Sequence, residues 1–192
     1  MNADASKENC ISDADIVASL RSGDSACIEV LVARYQAPLL RYAFRLLGEP
    51  TAAEDVVQES FIRLLTSLEQ LRDPTKLRSY LYQIATRLCR DQQRRPSRRE
   101  QPVGEWESDA LATCAPESTD ERFYIADLLR RLNPRHAEVI VLRYYEDMDL
   151  ATIACILNVP VGTVKSRLHS ALRRLHDMLT EPEFVRRKAA VW

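Results

Sequence analysis

Residues 149–179, DLATIACILNVPVGTVKSRLHSALRRLHDML, constrain the fold most, because they read as two helices joined by a turn too short to separate them. Leu150, Ile153, Ala154 and Leu157 recur at i, i+3, i+4 and i+7 and make one apolar stripe. Asp149 is placed to accept from the unpartnered N–H groups of the first turn. Asn158 suits the left-handed residue that the turn needs, and Val159 tucks back toward the core. Pro160 stops the first helix and suits the start of the second. In the second helix Val164, Leu168, Leu172 and Leu175 form the expected buried stripe. Lys165, Arg167, His169, Arg173 and Arg174 occupy the other face. Small Ala154 lets the helices cross closely, the helix-turn-helix arrangement that can seat the second helix in a DNA major groove. Four cations and no acid fall between Thr163 and His176. A solvated hairpin face would mix signs, so a phosphate-facing surface is the better reading.

Glycine is scarce, with 4 in 192 residues, and strand-like alternation is absent, so the chain is expected to be all-α. The 27 Lys and Arg nearly balance the 28 Asp and Glu, so net charge says nothing about partners; the charge distribution does. From Arg94 to Arg99 the chain is basic, and between Arg99 and Arg122 seven acids occur with no Lys or Arg. Pro102, Gly104 and Pro116 complete the composition of a flexible linker. That linker is either a solubilising tether or an acidic segment fitted to a basic channel of a partner. Trp106 within it docks on a partner or is a lone aromatic. The expected layout is a loose tail at 1–11, a helical domain at 12–95, the linker at 96–118, a second helical domain at 119–180 and a tail at 181–192.

Cys10, Cys27, Cys89, Cys114 and Cys155 form no CxxC pair and no cluster with ligand spacing, which fits reduced thiols and no metal. The polar first ten residues lack the apolar core of a signal peptide, and no apolar run approaches membrane-spanning length, so a cytoplasmic protein is expected. His136, His169 and His176 stand apart from Ser, Cys or carboxylate partners, and there is no Gly-rich phosphate loop. No catalytic constellation or cofactor is therefore expected.

In the first domain, Ser12 or Asp13 caps a short helix with Ile16, Val17 and Leu20 on one face, and Gly23 stops it. Ser25 can start a helix to about Leu47 that buries Ile28, Leu31, Val32, Tyr35, Leu39, Ala43 and Leu46, with Pro38 inside and Gly48 at its end. Thr51 and Glu54 suggest a capping box, ahead of a helix burying Val57, Phe61, Leu64, Leu65 and Leu68. Residues 71–75 read as a loop, since Pro74 disfavours helix at Asp73. A fourth helix follows, burying Leu77, Tyr80 or Leu81, Ile84, Ala85 and Leu88. Its Gln83, Arg87, Arg90 and Arg94 recur at spacings of four, three and four along one polar face. Tyr80 and Tyr82 lie beside Lys76 and Arg78. Cations among aromatic rings suit melted nucleic acid, although both tyrosines could equally be core residues.

In the second domain Phe123, Leu128, Leu129 and Leu132 make a helix, and Asn133-Pro134 starts another. Residues 134–146 are expected to bury Ala137, Ile140, Val141 and Tyr144 or Tyr145.

Four stretches, AEDVVQESFIRLL (53–65), SYLYQIATRLCRDQQRR (79–95), LNPRHAEVIVLRYYEDMDLATIACIL (132–157) and VPVGTVKSRLHSALRRL (159–175), occur in the order and at the spacing of one family. In these the chain resembles bacterial RNA polymerase sigma factors of the extracytoplasmic-function class. The resemblance implies a promoter-specificity subunit that binds core polymerase, recognises the −35 and −10 elements and helps open the start site. It implies that Asp55, Gln58, Glu59, Ile62 and Arg63 dock on the clamp of the β′ subunit, with the β flap as a further contact. Arg72, Lys76, Arg78, Ser79, Tyr80, Gln83, Arg87 and Arg90 match the part that captures a flipped base and holds the −10 strand. The chain departs there, with Leu77 and Tyr80 where the family often has Phe and Trp. Thr163, Lys165, Ser166, Arg167, His169, Ser170, Arg173 and Arg174 match the −35 reader. The resemblance further implies a linker threading the polymerase channels and an inhibitory anti-sigma factor, often membrane-anchored. A helix-turn-helix regulator that replaces no polymerase subunit, or a sigma-like decoy that binds anti-sigma factor, is the alternative.

Overall fold

The structure, a computed structural model, describes residues 11–94 and 119–180, and these fold into eight α-helices with no strand among the described residues. The expectations for the tails, for the linker and for Trp106 and Cys114 lie outside them.

The first module is α1 (Asp13–Arg21), α2 (Ala26–Leu47), α3 (Pro50–Thr66) and α4 (Leu77–Arg94). Ser12 caps α1 in a reciprocal box with Asp15. Ser25 makes no side-chain cap of α2; Asp24 does so, accepting from the Ala26 N–H at 3.0 Å. Gly48 closes α2 in the left-handed region, at φ 69°, and its N–H returns to the Phe44 carbonyl. The expected Thr51–Glu54 box is not formed. The helix starts two residues earlier, at Pro50, whose fixed φ suits a first helical position, and Thr51 is left exposed inside the first turn.

The α2 stripe is buried at Leu31, Tyr35, Leu39, Ala43 and Leu46, with Ile28 and Val32 half-buried. In α3, Val57, Phe61 and Leu64 are buried but Leu65 is exposed, because α2 and α4 cover only one side of the helix. Two short 3-10 turns, Leu68–Gln70 and Pro74–Lys76, lead into α4. Arg21 holds this connection by donating to the carbonyls of Leu68 at 3.0 Å and Leu71 at 2.6 Å.

The second module is α5 (Thr119–Arg130), α6 (Pro134–Ile140), a π turn (Val141–Tyr145), α7 (Leu150–Leu157) and α8 (Val161–Thr180). The Asn133 side chain caps α6 at the Arg135 N–H, 3.0 Å away. Asp149 caps α7 at the N–H groups of Ala151 and Thr152, 2.8 and 2.9 Å away. Asn158 ends α7 at φ 53°, ψ 53°, as the turn demanded. On α8 the buried line is Val164, Ala171 and Met178, with Leu168 and Leu175 at its edges. Leu172, expected in the core, is 42% exposed. The close crossing of α8 over α6 and α7 selects small Ala171 for the contact and turns Leu172 outward.

The modules do not stand apart. Their buried side chains form one cluster from Ile16 to Met178, with α2 packed on α5 and α4 packed on α7. The Arg45 guanidinium stacks 4.1 Å from the centroid of the Tyr145 ring. Tyr144, the other candidate for that position, is exposed. Gly48 sits at this seam, where an added Cβ would lie 2.5 Å from Arg130 Cδ.

Gly48→Ala should therefore cost about 1 kcal/mol or more, since left-handed backbone is expensive for any residue with a Cβ. For a chain of this size that lowers Tm by about 2–4 °C in a thermal scan. An unchanged Tm contradicts the assigned geometry.

Candidate nucleic-acid interface

Helix α8 presents its polar face outward. Lys165, Ser166, His169, Ser170, Arg173 and Arg174 are exposed, and Thr163 and Arg167 are half-buried at its edge. Among the described residues Lys165, Arg167, Arg173 and Arg174 make no ion pair. Asp149 and Asn158 fix the two ends of α7, and the buried line of α8 sets its rotation. This is a cationic ridge on a single helix, an element that the duplex major groove admits.

The cationic face of α4 is different. Arg72, Lys76 and Arg87 are exposed, and Ser79 and Tyr80 are half-buried, with the Tyr80 hydroxyl donating to Ser67 at 2.9 Å. Arg78, Gln83 and Arg90, however, turn to the second module. Arg90 donates from Nε and Nη2 to the two carboxylate oxygens of Glu138, at 2.5 and 2.6 Å. Arg78 Nη2 donates to the Glu146 carbonyl at 2.7 Å and lies 3.8 Å from its carboxylate. Gln83 Nε2 donates to the Cys155 carbonyl at 3.3 Å. Tyr82 is a core residue and carries no base-stacking face: it is fully buried, edge-on to Tyr42, with its hydroxyl donating to the Glu146 carboxylate.

Glu138 and Glu146 are the residues meeting the α4 face that sequence reasoning missed. Both are buried, in the run AEVIVLRYYED, where the neighbouring apolar residues masked them. At α-helical pitch two residues eight apart fall roughly 80° out of line. The wider π turn between them takes up that difference, and both meet α4. Burial pushes the Glu146 carboxyl above its usual range, against the Tyr82 hydrogen bond and Arg78, which favour the charged form. Burial likewise pushes up the Cys89 thiol, helped by Glu138, so this cysteine is an inert core residue.

On the opposite side of α4, Asp55, Gln58, Glu59, Ile62 and Arg63 line a shallow groove with Val56, Leu88 and Gln92. Ile62 is 56% exposed, a large apolar side chain flanked by the Arg63–Glu59 ion pair at 2.7 Å. Among the described residues no helix is long and apolar enough to cross a membrane.

Residues 31–99 match the Sigma-70 region 2 family and residues 122–175 match Sigma-70, region 4. The ECF RNA polymerase sigma factor SigL of Mycobacterium tuberculosis is 36% identical over 172 residues, covering 86% of this chain and 96% of that protein. The ECF RNA polymerase sigma factor SigW of Bacillus subtilis is 27% identical, covering 86% and 95%. The solved structure of CnrH, in complex with the cytosolic domain of CnrY, superimposes with a TM-score of 0.67 at 28% identity, covering 87% of this chain and 96% of that one. The sigma factor RpoE of Bartonella quintana, solved with the anti-sigma factor NepR, shares the fold at a TM-score of 0.61 and 22% identity, covering 76% and 92%.

The raised Glu146 sets a pH dependence. An acid that holds its proton more tightly when folded stabilises the fold fully below its unfolded value and loses that contribution as pH rises through the folded value. Glu146→Gln cannot ionise, so its unfolding free energy relative to wild type should climb as pH rises from 4.5. Urea unfolding across a pH series reads this directly, and a difference that stays flat contradicts the burial.

Proposed function

Because this chain belongs to the extracytoplasmic-function sigma factors of bacterial RNA polymerase, we propose that its three surfaces divide one task of promoter recognition. Helix α8 enters the major groove at the −35 element. Thr163, Lys165, Ser166, Arg167, His169, Ser170, Arg173 and Arg174 share phosphate and base-edge contacts there. A bidentate Arg–guanine pair supplies about 1–3 kcal/mol of discrimination. The face made by Arg72, Lys76, Arg78, Ser79, Tyr80, Gln83, Arg87 and Arg90 holds the −10 strand after melting. Asp55, Gln58, Glu59, Ile62 and Arg63 dock on the β′ clamp, around exposed Ile62. Exposed Leu172 and Leu179 on α8 offer a second apolar contact, suited to the β flap.

The domain boundaries that go with this reading are 12–95 and 119–180, joined by the acidic stretch 96–118. The chain acts in the cytoplasm by binding and orienting, and it makes or breaks no bond itself. Tethering two modest binding modules makes the second contact intramolecular, so together they read a promoter that neither holds alone. An anti-sigma factor, the kind of partner present in the RpoE–NepR structure, restrains it.

The observation that carries this reading is the α8 ridge, exposed and free of ion pairs among the described residues. A decoy that only titrates anti-sigma factor has no use for such a ridge, and a dimeric regulator has no use for the α3 groove.

Run-off transcription with core polymerase on a genomic promoter library tests the reading and identifies the promoter. Replacing Arg167, Arg173 and Arg174 with Ala should abolish promoter-dependent transcripts while leaving a stoichiometric polymerase complex on a sizing column. Ile62→Glu should do the reverse, losing the polymerase complex while retaining duplex binding by α8. If wild-type chain yields no transcript above core polymerase alone, the proposed function fails.

A further inference from the structure

Residues 67–76 join α3 to α4 and carry exposed Arg72 and Lys76 ahead of the α4 face. Their backbone is held from outside. Nη2 of Arg21, the last residue of α1, donates to the Leu71 carbonyl at 2.6 Å and the Leu68 carbonyl at 3.0 Å, from 50 and 47 positions away. These oxygens belong to the first 3-10 turn and its exit, where carbonyls point onward and a cation is favoured. Peptide planarity carries the restraint forward. The Leu71 oxygen and the Arg72 nitrogen share one plane, so fixing the first sets the direction in which Arg72 leaves. Leu71 is buried and Arg72 exposed, so the chain passes from core to surface across that bond.

The far end of the connection is ordered locally. The Asp73 side chain accepts from the Thr75 N–H at 3.1 Å and the Thr75 hydroxyl at 2.6 Å, and its carbonyl accepts from the Lys76 N–H at 3.0 Å. Helix α1 is itself anchored on α2, where Asp13 pairs with Arg34 at 2.9 Å and accepts from the Tyr35 hydroxyl at 2.6 Å. Ile16 and Val17 bury its inner side. Arg21 is exposed, so its contribution lies in the two hydrogen bonds and not in core packing.

We propose that Arg21 is a positioning residue for strand selection. It touches no nucleic acid; by holding the Leu68 and Leu71 carbonyls it fixes where Arg72 stands, and thereby which base the connection accepts. This rests on the proposed function, which makes residues 72–90 the strand-holding face. A loop that orders itself only on binding can reshape around several bases, whereas one already held discriminates by fit.

The test is run-off transcription by core polymerase with the full chain, on templates that share one −35 element and carry a randomised −10 element. The quantity read is the ratio of transcript from the preferred −10 sequence to the mean of the others. Arg21→Met keeps an unbranched apolar stem and donates nothing. Arg21→Lys keeps one nitrogen able to donate to both carbonyls. Arg135→Met removes an exposed cation from the second module and controls for charge. A correct base at one position of a site is commonly worth about tenfold, so Arg21→Met should lower the ratio about tenfold. Arg21→Lys and Arg135→Met should keep the wild-type ratio, and the polymerase complex should form with all of them. A substitution that merely loosened the fold would scale every transcript together and leave the ratio alone. That outcome for Arg21→Met, or an equal loss of ratio in Arg21→Lys, overturns the proposal.

Should Arg21→Met lose helix content by circular dichroism, hydrogen exchange of the guanidinium protons in the wild-type chain, followed by NMR, decides instead. Protons held by two carbonyls should exchange more slowly at Arg21 than at exposed Arg135, and equal rates overturn the clamp. If the wild-type chain yields no transcript on any template, the promoter reading fails, while the exchange rates still decide whether Arg21 holds the connection.

Discussion

Glu138 can be buried only because Arg90 reaches across to it. A lone carboxylate in an apolar interior costs several kcal/mol unless a partner satisfies both of its oxygens. The Arg90 fork does so, and it draws α4 of the first module onto α6 of the second. Breaking such a pair by deleting one partner costs about 3–5 kcal/mol when both are fully buried. Arg90 keeps 30% of its side chain in solvent, so screening reduces that figure here. Other contacts share the seam, beginning with the apolar packing of α2 on α5 and of α4 on α7. Glu146 is a reluctant anion, Gln83 makes one neutral bond, and Arg45 adds a stacked ring contact to Tyr145.

That seam explains how a small helical chain can carry three surfaces of different character without their interfering. The α3 groove is apolar at Ile62 and flanked by charge, as suits a protein partner. The α8 ridge is helical and cationic, as suits duplex DNA. The α4 face is cationic too, but its inner donors are committed within the chain.

The elements were readable wherever the signal was local. Ser12, Asn133, Asp149, Asn158 and Gly48 each act within a few residues of themselves, and each does what its chemistry suggested. The α2 stripe was legible for the same reason, since 22 residues of 3.6 periodicity leave little freedom of rotation. The errors lie where tertiary contacts chose among local options. Ala171 displaced Leu172 from the core because the α8 crossing is close, and Leu65 faces outward because α3 has neighbours on one side only. Pro50 outcompeted Thr51 as a helix start. In the candidate site, the residues named on α3 line one groove and those named on α8 are exposed or half-buried. On α4 the residue types were legible but not their occupancy, since nothing in the sequence ties Arg90 to Glu138, 48 positions away. The π turn that brings Glu146 alongside Glu138 carries no sequence signal that periodicity can detect.

Arg90 and Glu138 tie the two modules together, and a double-mutant cycle of Arg90→Ala and Glu138→Ala in the full chain measures that energy with no ligand present. From urea unfolding of the four proteins, a coupling free energy of about 1–3 kcal/mol favouring the intact pair is the predicted result. Strictly additive single substitutions would contradict it, because two residues that do not sense each other cannot anchor the seam.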